Sequence, residues 1–277
     1  MVLPLENLLV LETPLSASKL SKMAQFPHPI TVVLLNLRLL TSQMETRGME
    51  YMYAQYLSEQ EQAWLEKFTS EKRRLEWLGG RIAAKYAAVR LFAQNEKKRE
   101  IVQSFADIVV ISASNGRPSL AFNNRIWLLV DIPDISISHS GSMAAAMAAR
   151  NGFCGIDIQK ITPRVNKVQE RFCTSSEKDI LYESFQRQPE IETASLIKLW
   201  AAKEALRKAC NKEQLPGFLD LQLINIQEES VQEGNVAWIF SLCWNCAVPE
   251  ANNTYKVFIT LVQDYVLALT ARDDTLK

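Results

Sequence analysis

Gly155-Ile156-Asp157-Ile158-Gln159 and, further along, Leu199-Trp200-Ala201-Ala202-Lys203-Glu204-Ala205-Leu206-Arg207-Lys208 decide how this chain is read. The first segment has the alternation of a strand: Asp157 and Gln159 fall on one face and Ile156 and Ile158 on the other, so an apolar anchor carries two oxygen donors. The second has helical spacing, which lines up Trp200, Glu204 and Lys208 on one stripe. Carboxylate and amide oxygens brought together from two elements suit Mg²⁺, which takes one or two protein carboxylates, keeps several waters and leaves room for substrate phosphates. That composition points to phosphate-transfer chemistry. Taken alone, Glu204 and Lys208 also fit an exposed ion pair, and Trp200 a core side chain.

Working outward, the second half of the chain reads as a strand at 155–158, helices around 165–186 and 192–211, and strands near 221–227, 236–243, 255–262 and 265–271. The first half repeats that order in outline. A long buried strand is expected over residues 30–40, Ser58-Glu-Gln-Glu61 is a capping box opening a helix, and a second helix runs from Arg73 to Leu91 around an interior Gly79-Gly80. Short strands follow at Ile108–Ser112, Ser119–Phe122, Ile126–Val130, Ile135–His139 and Ala144–Arg150, with a turn at Asn115-Gly116-Arg117-Pro118. The fold class is therefore α+β, with two similar, pseudo-duplicated halves at 1–154 and 155–277, a loosely ordered leader over 1–29, and an active site in the cleft between the halves.

Composition narrows the function. Lysine plus arginine and aspartate plus glutamate balance at 31 each, so the whole-chain charge argues against a nucleic-acid or membrane-surface binder. The N-terminal residues lack a basic region and an apolar run long enough for a signal peptide or a membrane span, and a cytoplasmic monomer is expected. Five cysteines, an odd number scattered over the second half, argue against a disulfide framework; reduced thiols are expected, with a structural role for Cys243-Trp-Asn-Cys246.

Five blocks, in order, resemble the 4′-phosphopantetheinyl transferases of the two-half, surfactin-synthetase-activating type. They are Lys72-Arg-Arg-Leu-Glu-Trp-Leu-Gly-Gly-Arg-Ile-Ala-Ala-Lys85; Gly116-Arg-Pro-Ser-Leu120; Ile135-Ser-Ile-Ser-His-Ser-Gly-Ser142; Gly155–Gln159; and Phe172-Cys-Thr-Ser-Ser-Glu177 leading to Trp200-Ala-Ala-Lys-Glu-Ala205. The resemblance implies an enzyme that moves the phosphopantetheine arm of coenzyme A onto a serine of an acyl, peptidyl or aryl carrier protein and releases 3′,5′-ADP. It implies Mg²⁺ held by Asp157, Gln159 and Glu204, with Asp157, Glu204 and Lys208 as catalytic residues and Glu204 as the candidate base. Gln159 stands where the family often has glutamate, so free Mg²⁺ should bind more weakly and depend more on the diphosphate. Two other classes fit the same residues: a degenerate coenzyme A-binding protein, and a metal-dependent hydrolase of the coenzyme A diphosphate.

Coenzyme A brings a diphosphate and a 3′-phosphate, which call for matching cations. The resemblance directs Arg81, Lys85, Arg117 and Lys203 to the nucleotide, and Ser138 and His139 to its 3′-phosphate. Lys72 and Arg73 read as solvated helix face. Glu177 is either a supporting carboxylate or the cap of a helix start. An acidic carrier protein would dock on residues 164–171, where Val165 and Val168 stand among Arg164, Lys167 and Arg171. The same segment also fits an ordinary amphipathic helix.

Overall fold

In the computed structural model, which describes residues 9–11, 29–94, 104–114, 116–123, 131–185, 189–210, 215–230, 236–244 and 254–272, the apolar run starting at Ile30 is a strand only as far as Asn36. The Asn36 side chain accepts from the amides of Arg38 and Leu39, capping a helix over Leu37–Arg47 (α1). The expected strand over 30–40 is thus split by a residue whose short amide satisfies the orphan donors of a helix start. A further helix, Met49–Tyr56 (α2), follows in the polar stretch.

The described residues fall into two compact units, the first ending at Cys154 and the second covering Gly155–Thr270, with Ala271 and Arg272 counted in the first. In the first, Leu9–Leu11 (β1), Ile30–Asn36 (β2), Asp134–Ser140 (β5) and Met143–Ala149 (β6) form an antiparallel sheet of order β1-β2-β6-β5. A strand at Leu9–Leu11 corrects the expectation that the fold begins near residue 30. Ile108–Ser112 (β3) and Pro118–Phe122 (β4) form a separate hairpin. Glu59–Leu65 (α3) carries the expected capping box, and Glu71–Ala93 (α4) lies against β2, β5 and β6. Glycines let α4 come close: a Cβ at Gly79 would collide with the Leu37 side chain, and one at Gly80 would lie 2.9 Å from Ile137 Cγ2. The strand expected at Ile126–Val130 lies outside the described residues.

In the second unit, Phe153–Lys160 (β7), Leu221–Ser230 (β8), Val236–Trp244 (β9), Thr254–Val262 (β10) and Tyr265–Arg272 (β11) form one sheet, order β7-β11-β10-β9-β8. Two helices cover it, Ser175–Phe185 (α5) and Pro189–Lys208 (α6). The core between them includes Leu199, Leu206, Phe240, Val257 and Val266. The helix expected from 165 starts only at Ser175; residues before it form two 3₁₀ turns, Pro163–Lys167 and Gln169–Arg171. None of the helices described is long and apolar enough to cross a membrane. Among the cysteines, Cys154, Cys173 and Cys210 are free and buried, whereas Cys243 is disulfide-bonded, which corrects the expectation of reduced thiols throughout.

One buried device occurs in each unit. Ser58 and Glu61 exchange capping bonds at the start of α3, Glu61 Oε1 accepts from the Val110 amide of β3, and Lys85 of α4 pairs with Glu61 while donating to the Tyr56 carbonyl. Thr174 and Glu177 do the same at the start of α5, Glu177 Oε1 accepts from the Leu223 amide of β8, and Lys203 of α6 pairs with Glu177 while donating to the Phe172 carbonyl. Cap, strand amide, lysine and carbonyl recur in the same chain order, so the two units share a plan at the level of single hydrogen bonds.

Candidate active site

Asp157 sits on β7 with only 1% of its surface exposed. A buried carboxylate must be matched by donors, and those that reach it include Lys208 Nζ at 2.8 Å from Oδ1 and Gln159 Nε2 at 2.9 Å from Oδ2. Lys208 also donates to the Ile156 carbonyl at 3.0 Å. The residue that brings strand and helix together is Gly155, where a Cβ would collide with the Ala205 carbonyl oxygen of α6. Only the absence of a side chain allows that approach.

Glu204 and Lys208 do not form the i,i+4 pair their spacing offers. Glu204 instead accepts from Arg207 Nη1 at 2.9 Å. Arg207 is itself anchored: its Nε donates to the Pro216 carbonyl at 2.8 Å and its guanidinium lies 4.3 Å from the centre of the Phe218 ring. Phe218 stacks on Trp200 with ring centres 4.6 Å apart, and Phe172 meets Trp200 edge-on at 5.0 Å. Trp200 is therefore the floor on which the end of α6 is organised. Arg207 went unnoticed in the sequence because its partner carbonyl at Pro216 lies nine residues on, with no local pattern to link the two.

Asp157, Gln159 and Glu204 supply hard oxygen donors of the kind Mg²⁺ prefers, with no more than two carboxylates. The position of the Lys208 ammonium, held by Asp157 Oδ1 and a backbone carbonyl, marks a place where the fold stabilises positive charge. The donor set fits a divalent ion that retains waters. No group of three or more histidine, cysteine or acidic side chains stands ready for a metal among the described residues.

Lys203 and Glu177 take structural roles in place of those first expected. Lys203 is fully buried, donates to the Phe172 carbonyl and pairs with Glu177 at 2.7 Å. Burial pushes its ammonium below the usual lysine range while Glu177 pulls it back up. Glu177 caps α5, which resolves its two readings in favour of the cap.

A cavity of about 390 Å³ opens in the first unit, lined by residues that include Arg73, Trp77, Arg81, Gly116, Ile137 and His139. Arg81 lies over the Trp77 ring at 3.5 Å, and its buried Nε has no acceptor among the described residues. Burial lowers its guanidinium to about 10, Glu61 opposing, so it stays charged at neutral pH. His139 faces the same cavity with Nδ1 3.7 Å from Glu76. Arg73, read as solvated helix face, also lines it.

The other expected nucleotide contacts lie elsewhere. Ser138 is buried, on the strand face opposite His139, as alternation along β5 requires. Lys85 is fully buried against Glu61. Arg117 pairs with Asp134, which also accepts from the Cys154 amide at 2.7 Å. Lys85 is thus held by a fully buried carboxylate and Arg117 by a half-buried one.

In the second unit, Arg164, Val165, Val168, Ile197, Trp200 and Gln159 are among the residues lining an open groove of about 320 Å³. Val165 and Val168 are half-buried, whereas Arg164, Lys167 and Arg171 are exposed.

Residues 153–270 match the model of the 4′-phosphopantetheinyl transferase superfamily. No curated protein matches the chain. Solved structures similar to part of it include the holo-[acyl-carrier-protein] synthase of Neisseria meningitidis, 18% identical over 44% of this chain and 96% of that one, TM-score 0.38. The Helicobacter pylori enzyme in complex with coenzyme A is 17% identical over 44% and 99%, TM-score 0.36. Holo-ACP-synthase from Plasmodium yoelii is 17% identical over 44% and 91%, TM-score 0.37.

Proposed function

We propose that the protein transfers the 4′-phosphopantetheine group of coenzyme A to a serine of an acyl, peptidyl or aryl carrier protein, with Mg²⁺, as a cytoplasmic monomer. The observation that carries this reading is Arg81, a desolvated guanidinium with an unsatisfied Nε that lines a cavity together with His139 and Arg73. A buried donor without an acceptor costs stability until a ligand completes it, and a phosphate does so with charge assistance. The family match over residues 153–270 supports the choice of coenzyme A as the phosphate-bearing ligand.

The serine oxygen forms a bond to the β-phosphorus of coenzyme A while the phosphorus–oxygen bond to 3′,5′-ADP breaks. Glu204, the more exposed of the two carboxylates, accepts the serine proton. Mg²⁺ bound by Asp157, Glu204 and the Gln159 amide oxygen would neutralise the charge gathering on the diphosphate. Lys208, held by Asp157 and the Ile156 carbonyl in the free protein, turns to a diphosphate oxygen. Arg81 and His139 line a cavity suited to a phosphate group. The groove with an apolar floor of Val165, Val168 and Ile197 and exposed Arg164 beside it suits an acidic carrier helix.

Intact-mass spectrometry of apo carrier proteins incubated with the protein, coenzyme A and Mg²⁺ tests this reading. One added phosphopantetheine, lost when EDTA is present, is the expected result. Coenzyme A breakdown in a carrier-free control would make the protein a hydrolase instead, and tight binding without any transfer would make it a coenzyme A-binding protein.

A further inference from the structure

Resting on the transferase reading above, the geometry points to Arg207 as the positioning residue that sets how tightly Glu204 can hold a divalent cation. An i,i+3 ion pair on a helix surface is ordinarily weak and readily exchanged for water. This one is not free to wander. Arg207 spends Nε on the Pro216 carbonyl at 2.8 Å and Nη1 on Glu204 Oε2 at 2.9 Å, with its plane near the Phe218 ring at 4.3 Å. The rigid, planar fork of a guanidinium serves both acceptors at once in a fixed geometry. Phe218 is held in turn by its stack on Trp200.

The same turn of α6 therefore lays adjacent cations on both acidic groups, Arg207 on Glu204 and Lys208 on Asp157. The two differ in kind. Lys208 is an ammonium shared between Asp157 and the Ile156 carbonyl, whereas Arg207 binds through a planar fork to Glu204 and the Pro216 carbonyl and lies near the Phe218 ring. A metal ion arriving alone meets two carboxylates whose charge is already countered. A metal ion arriving with a diphosphate brings anionic oxygens that draw Lys208 away, while Arg207 stays and keeps Glu204 aimed. Arg207 thus lowers the affinity for free metal and makes occupancy depend on the substrate's phosphates.

The test is a titration of Mn²⁺, read by electron paramagnetic resonance without coenzyme A, on the whole protein and on Arg207→Met and Arg207→Lys. Removing the charge should tighten Mn²⁺ binding about tenfold, the scale of one nearby unit charge in a partly screened site. Arg207→Lys keeps the charge and should stay within about twofold of the parent. Unchanged or weaker Mn²⁺ binding by Arg207→Met would overturn the proposal, since loss of a purely structural arginine loosens the helix end and can only weaken the site. Should Arg207→Met not fold, Arg207→Gln, which keeps a donor for the Pro216 carbonyl without the charge, carries the same expectation. Failure of the parent reading is separate: it shows as absence of transfer to any carrier by the unmodified protein, whatever the Mn²⁺ titration gives.

Discussion

Lys85 and Lys203 have no measurable surface exposure, and each is fastened to a glutamate that caps the first turn of another helix. Breaking such a pair from one side leaves a buried carboxylate uncompensated, which costs about 3–5 kcal/mol. Lys203→Met should therefore lower the midpoint of urea unfolding by a clear margin, and Lys203→Met combined with Glu177→Gln should recover part of the loss. An unchanged midpoint accompanied by a raised KM for coenzyme A would restore the ligand role instead. The sequence held a signal for the structural role in both cases. Each lysine stands among alanines on a helix, Ala83, Ala84, Ala87 and Ala88 around one and Ala201, Ala202 and Ala205 around the other. Small neighbours on every side mark a position packed against other elements, where a ligand-facing cation would have polar or glycine company. Asp157 was legible because strand alternation isolates it among isoleucines; Arg81 was legible only through the resemblance, since one arginine on a helix face carries no local mark.

At the scale of elements, the site rests on the contact between β7 and α6. Gly155→Ala would drive a methyl group into the Ala205 carbonyl, so either the strand or the helix must shift. Overpacking of this kind costs about 1–3 kcal/mol or more, and here the displaced elements carry Asp157 and Lys208. The variant should unfold at lower urea and lose transfer activity disproportionately to its stability; full activity at parental stability would show that the close approach is dispensable. Element order was readable from periodicity, yet two boundaries were not. The leucine run changes from strand to helix at Asn36 because a capping side chain intervenes within a continuous apolar pattern. The segment 163–174 stays in short 3₁₀ turns because Pro163 starts a tight turn and the Thr174–Glu177 box fixes the true helix start eleven residues later.

For the whole molecule, a shared plan has been put to two uses. The residue after Lys203 is Glu204, whereas the residue after Lys85 is Tyr86; five residues after Lys203 stands Lys208, and five after Lys85 stands Arg90, 5.6 Å from the Tyr86 ring centre. The aspartate–lysine pair of β7 and α6 lies in the second unit, and the cavity with the unsatisfied Arg81 in the first. Whether Asp157 anchors a phosphate-transfer site is decided by the rate at which Asp157→Ala adds phosphopantetheine to an apo carrier, followed by intact mass at saturating coenzyme A and Mg²⁺. A loss of at least about 10²-fold is expected, the scale for removing one electrostatic contact to the reacting groups, with the protein still folded. A rate within about twofold of the unmodified protein would contradict it, because an effect that small is far below what loss of a metal anchor entails.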